Sequence, residues 1–179
     1  MNSQSWEGLG RLLLESGSLD QAAQAYNQAL KINPKSASAW QALGLILYKE
    51  HKPDGAIQDF EKALSIQPDF PDASINMANA LLARGKYATA VVTLKTLLAK
   101  HADSALGWAT LGVAYASLGR FDDAIAAQQN SIRLAPKEPG FHGNLAHTYE
   151  LLHRKEEQQK ELAIANQLQT KAQGGSKKK

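Results

Sequence analysis

The residues able to do chemistry are few and scattered. The chain has five histidines and no cysteine, which excludes thiol catalysis, disulfide frameworks and cysteine-based zinc sites. His51 and His153 stand in breaks between apolar stretches, and His101 stands at another junction. His142 and His147 are five apart in one helical stretch, which points them to different sides. His147 with Glu150 is the one pairing with metal-ligand chemistry, and no metal site is expected from it. Asp122-Asp123 and Glu156-Glu157 fall at expected helix starts, where the helix dipole and solvent account for paired carboxylates. No glycine-rich phosphate loop, His-Glu-x-x-His or Gly-x-Ser-x-Gly occurs. The expectation is a chain without catalytic residues, metal or cofactor, and not an enzyme.

Composition narrows the class further. A chain of 179 residues, 44% of them apolar, can bury a sizeable core. Its apolar runs are too short to span a bilayer, so no direct membrane insertion is expected. Residues 1–7 show no basic, signal-like start, and the expected setting is cytoplasmic. Lys171 and Lys177–Lys179 supply four positive charges, and without them the formal +3 becomes −1. A nearly neutral body with a basic tail lacks the gathered cationic face of a nucleic-acid groove, so no nucleic-acid partner is expected. Residues 173–179 read as a disordered Lys-rich tail.

The scattered histidines fit into a repeating frame. Trp6 and Trp40 are 34 apart, and Trp108 follows Trp40 at twice that spacing. Leu9-Gly10, Leu43-Gly44 and Leu111-Gly112 keep the same phase, with Met77-Ala78 and Leu145-Ala146 in the remaining two places. Ala22, Ala56, Ala90 and Ala124 are 34 apart, as are Pro34 and Pro68, with Pro136 in the same phase. Each first stripe, such as Trp40, Leu43 and Leu47, follows helical spacing. Gly17, Gly85 and Gly119 suit a left-handed end to the first helix, and His51 and His153 take that slot in two units. Asp20, Asp54 and Asp122 open the second helix at its positive dipole end. Proline then stops it by disfavouring helix in the residue before. Five units result, 3–36, 37–70, 71–104, 105–138 and 139–172, read as one domain over 3–172.

This pattern resembles the tetratricopeptide repeat (TPR). The resemblance implies an all-α, right-handed superhelical solenoid of antiparallel helix hairpins, with first helices lining a concave groove. Unit three diverges, with Ser74 in the tryptophan place and Leu94 and Leu97 where an aromatic and a small residue are expected. Unit five fades into a cap whose last helix, roughly Lys155 to Lys171, offers a stripe of Leu162, Ala165 and Leu168.

The resemblance implies a protein-protein interaction module or scaffold that binds a partner peptide or helix. Counting off the core stripe places Gln41, Leu45 and Tyr48 in the groove from unit two, and Ile75, Asn79 and Leu82 from unit three. Unit four gives Ala109 and Val113, and unit five gives His147. Glu7, Arg11 and Leu14 are the corresponding places in unit one. In similar proteins, asparagines along the groove hold a peptide backbone, and Asn76 and Asn144 stand in such places, though a solvated asparagine reads the same way. Chaperone-linked TPR domains grip a C-terminal carboxylate with cations, but Glu7 and Asp72 stand at matching places, so no such clamp is expected. The alternative is a self-assembling structural protein or an accessory factor of a larger complex. Leu12, Leu13 and Leu14 would then give unit one a sticky face and a homo-oligomer.

Overall fold

The computed structural model describes residues 2–176, with side chains described for 2–173. Ten helices fill the described residues: α1 (Ser3–Glu15), α2 (Leu19–Ile32), α3 (Ala37–Lys49), α4 (Pro53–Ile66), α5 (Pro71–Ala83), α6 (Tyr87–Lys100), α7 (Ala105–Ser117), α8 (Phe121–Leu134), α9 (Pro139–Leu151) and α10 (Lys155–Ser176). Odd-numbered helices start at one constant spacing along the chain, and even-numbered helices start at the same spacing.

Local chemistry explains these boundaries. The residue ending each first-helix turn has positive φ: Gly17, Gly85 and Gly119 at 80°, 71° and 71°, and His51 and His153 at 59° and 56°. Glycine meets that conformation without steric cost, and the two histidines adopt it against their Cβ. Four of the five first helices have a side-chain cap, and α5 starts on Pro71 instead. Asn2, Ser36 and Ser104 cap α1, α3 and α7 by accepting a backbone N–H, and Glu138 does so for α9. Asp20, Asp54 and Asp122 lie in the first turns of α2, α4 and α8 but do not cap them. They suit the positive end of the helix dipole, and Asp54 also accepts from Arg84 Nε at 2.6 Å, across to the end of α5.

The chain divides into two compact units, Met1–Lys86 and Tyr87–Lys179, so the division falls in the turn of repeat three. In the first, α1 packs on α2 and α3, α2 packs on α3, and α3 and α4 both pack on α5. Ala22, Ala56 and Ala63 are fully buried, and these small side chains let the helix pairs close. Glycine goes further at Gly44, where an added Cβ would lie 2.7 Å from the Phe60 ring. In the second unit, α7 packs on α6, α8 and α9, and α9 packs on α8 and α10. Gln128 takes the Phe60 place there, its Cγ 2.5 Å from a Cβ built on Gly112.

Three expectations change. Leu9 is exposed, while its counterparts Leu43, Leu111 and Leu145 are buried, because no helix precedes α1 among the described residues. Leu162 is also exposed; the face of α10 nearest its neighbour runs through Glu157, Glu161, Ile164 and Leu168. α10 continues to Ser176, so 173–176 is helical backbone where a disordered tail was expected, and 177–179 lie outside the described residues.

Candidate functional site

In the first unit, Gln41, Leu45 and Tyr48 on α3 and Asn76, Asn79 and Leu82 on α5 are half-buried. α3 and α5 touch, so these side chains share one first-helix surface. Ile75 does not join them. It is only 5% exposed, because α5 is covered by both α3 and α4. The core of these helices is filled by Leu43, Ile46 and Leu81, which leaves Leu45, Tyr48 and Leu82 over.

One end of this surface is an open depression of about 450 Å³ between α1 and α3, lined by Glu7, Arg11, Leu14, Tyr26, Ser38 and Gln41. Glu7 is held in place there. Its carboxylate accepts from Ser36 Oγ at 2.8 Å and Ser38 Oγ at 2.6 Å, tying α1 to the start of α3. Burial, and next the Glu7 carboxylate, push the Tyr26 phenol above its ordinary value, so it stays a neutral hydroxyl. Arg11 is exposed at the rim. A second depression of about 410 Å³ is lined by Tyr48, Lys49, His51, Pro53 and Ala83.

In the second unit, Val113 and Asn144 are half-buried and His147 is exposed. Ala109 is 2% exposed, enclosed where α7 meets α8 and α9, and offers nothing to a ligand. Ala109 and Ile75 occupy one repeat register, that of Gln41, and of the three Gln41 alone is left half-open. The Asn144 carbonyl accepts from Gln128 Nε2 and from Thr148 Oγ1, both at 3.2 Å. His147 Nδ1 lies 3.3 Å from Glu150, and both are exposed. No group of three metal-capable side chains forms among the described residues. His142 replaces the tryptophan with a polar core contact: Nδ1 lies 2.7 Å from Glu161 of α10, and both side chains are largely buried.

The surroundings of the repeat's aromatic residues hold contacts that helical spacing does not mark. The Trp40 indole N–H donates to the Pro34 carbonyl at 3.0 Å, and the Lys62 ammonium lies 4.0 Å from the ring centroid. Arg120 and Arg154 stack on Tyr115 and Tyr149 at 4.6 and 4.8 Å. The signal was present, since both arginines follow their tyrosines at the same offset in the same repeat register.

A family model of the tetratricopeptide repeat matches residues 47–113, another matches 105–138, and a TPR repeat model matches 10–50. No curated protein sequence matches the chain. Solved structures share the fold at low identity. PilF of Pseudomonas aeruginosa superposes with a TM-score of 0.83 at 21% identity, over 92% of this chain and 75% of that one. MamA, residue 41 to its end, from Desulfovibrio magneticus RS-1 gives 0.78 at 20%, over 96% of both chains. YrrB, described as a TPR protein with an unusual peptide-binding site, gives 0.72 at 20%, over 92% of this chain and 85% of that one. With helix starts at a constant spacing, left-handed turns in phase and family models running from residue 10 to residue 138, the chain belongs to the tetratricopeptide repeat family.

Proposed function

We propose that this chain is a non-enzymatic scaffold of the cytosol that docks a peptide or helix of another protein on the exposed faces of its first helices. The observation that carries the proposal is Leu45, Tyr48 and Leu82, large apolar side chains left half-open beside a core that is complete without them. Asn76 and Asn79 lie among them, and an amide can donate and accept along a peptide backbone. Arg11, Gln41 and the depression between α1 and α3 extend the same surface in the first unit. Val113, Asn144 and His147 provide a surface in the second unit. A peptide-binding site occurs on this fold in YrrB. Nucleic acid is not the partner proposed, since these surfaces gather no cluster of lysine and arginine. No helix among the described residues is long and apolar enough to cross a membrane.

The test is a double variant, Tyr48→Glu with Leu82→Glu, used as bait beside the wild type, with helicity checked by circular dichroism. A protein retained by the wild type and lost from the folded variant supports the assignment. Equal recovery with both baits overturns it.

A second reading rests on α1. Leu9 is 37% exposed and Leu12 is 62% exposed, one helical turn apart. Contact between two such faces would build a homo-oligomer. Light scattering separates the readings: a monomer at high concentration removes the second, and an oligomer dissolved by Leu12→Glu establishes it.

A further inference from the structure

The places around Trp40 and Trp108 correspond residue by residue, both residues are half-buried, and the cation that lies over the first ring has no counterpart in sequence over the second. Trp40 is pinned by its hydrogen bond to Pro34, and Trp108 is pinned likewise by donation to the Ala102 carbonyl at 2.9 Å. Above Trp40 lies the Lys62 ammonium, 4.0 Å from the ring centroid and 3.8 Å from Asp59. Two repeats later, Lys62 is replaced by Asn130 and Asp59 by Ala127. Both charged members of the cover are missing together. In their place is a pocket of about 370 Å³, lined by Trp108, Leu111 and Tyr115 of α7, Leu98 of α6 and Ala127 of α8.

A carboxylate remains at the pocket, one helical turn before the Asp59 place. Asp123 lines it while pairing with Arg120 at 2.6 Å, and both partners are about half exposed. Arg120 holds Asp123 through both Nε, at 2.7 Å, and Nη2, and both contacts fall on Oδ2, so Oδ1 is the oxygen an incoming cation would meet. Two cations work against a third: Lys95 on the α6 wall, and Arg120, which already stacks 4.6 Å from the Tyr115 ring.

We propose that this pocket takes an arginine side chain of a partner protein, its guanidinium stacked on Trp108 as Lys62 stacks on Trp40, and paired to Asp123. The indole face attracts a cation electrostatically, and a planar guanidinium can stack and donate to a carboxylate at once. The apolar walls receive its methylene stem. Lys95 then sets the strength of binding by opposing charge. None of the pocket residues is a first-helix surface candidate, so this site stands or falls independently of the peptide-docking proposal.

The experiment is a titration of the full-length, ¹⁵N-labelled protein, read at the Trp108 indole N–H signal. That signal is assigned by its loss in Trp108→Phe. The probes are acetyl-Gly-Arg-Gly-amide and the same peptide with neutral citrulline or with glutamate in place of arginine. The arginine peptide is expected to shift the Trp108 signal saturably and the citrulline peptide to leave it unmoved. Lys95→Glu is expected to tighten binding by about fivefold, the scale of an exposed charge interaction. Asn130→Lys, which supplies a tethered ammonium, is expected to abolish the shift. Equal response to arginine and citrulline, preference for the glutamate peptide, weaker arginine binding in Lys95→Glu, or no saturable shift overturns the proposal.

Discussion

Trp40 and Trp108 occupy one register of α3 and α7, each followed one turn later by a glycine, Gly44 or Gly112. Beneath Gly44 lies the ring of Phe60, which is fully buried. Beneath Gly112 lies Gln128, 1% exposed, whose Oε1 has no hydrogen-bond partner. Beside them Ala63 becomes Ser131, with its hydroxyl donating to the Gln128 carbonyl at 2.7 Å. The Lys62 cover over the first ring is missing from the second. Repeat two thus commits its variable places to packing, and repeat four leaves them polar or empty. Helix bounds and the left-handed turn keep the same register in both, so the frame follows the small residues and turns, and the side chains around it differ.

The largest way to break this comparison is Phe60→Ala. It is expected to cost about 3–5 kcal/mol in urea unfolding, as a deeply buried aromatic leaves a cavity. A cost near zero would mean that the aromatic place is as dispensable in repeat two as in repeat four. Next, Gly44→Ala should destabilise by about 1–3 kcal/mol, because its Cβ meets Phe60 at 2.7 Å in a packed core. Helix propensity alone would give a gain of about 1 kcal/mol, so the sign of the change decides. Third, Gln128→Leu should stabilise by about 1 kcal/mol, since it removes a buried acceptor without a partner, while the Asn144 carbonyl keeps its bond from Thr148. A loss would show that the Gln128 bond to Asn144 outweighs the orphaned oxygen.

The smallest effect concerns pH. Burial pushes the Asp59 carboxyl above its ordinary 3.8, and Lys62 counters only part of that. The folded state therefore binds this proton more readily than the unfolded state does. Asp59 accordingly makes stability fall as pH rises through the ordinary value to the raised one. Asp59→Asn should remove that fall. The wild type should compare best with the variant in acid and worse toward neutrality, measured as paired unfolding curves. A difference growing in favour of the wild type with rising pH would show that the Lys62 partnership dominates.

The fold was legible because its signals recur in phase. A left-handed turn, a close-packed alanine and a proline stop each appear several times, and misreading one leaves the others. The two histidines in glycine slots follow from phase alone, and both have positive φ. The surface was less legible. Ile75 and Ala109 lie at the edge of the core stripe, and whether an edge residue is open depends on a neighbouring helix whose tilt the spacing does not encode. Leu162 was misplaced for the same reason, since α10 turns a face rich in carboxylate and amide toward its neighbour, with Glu161 meeting His142. A histidine in a tryptophan slot needs a polar partner, and that requirement could have pointed to Glu161. The Lys62 cover reaches from α4 back to α3, and no local periodicity marks a contact between separate helices.

Within each unit, helices touch only those one or two places along the chain. Every contact there closes a short loop, so little chain entropy is lost before packing begins. Such topologies fold on microsecond to millisecond timescales, far faster than a ribosome adds residues. During synthesis, the partners of α1 and α2 are complete once α3 emerges, without waiting for distant sequence. The order of translation thus becomes the order in which packing partners appear, and each hairpin's outer face, such as α2 toward α3, waits only for the next repeat.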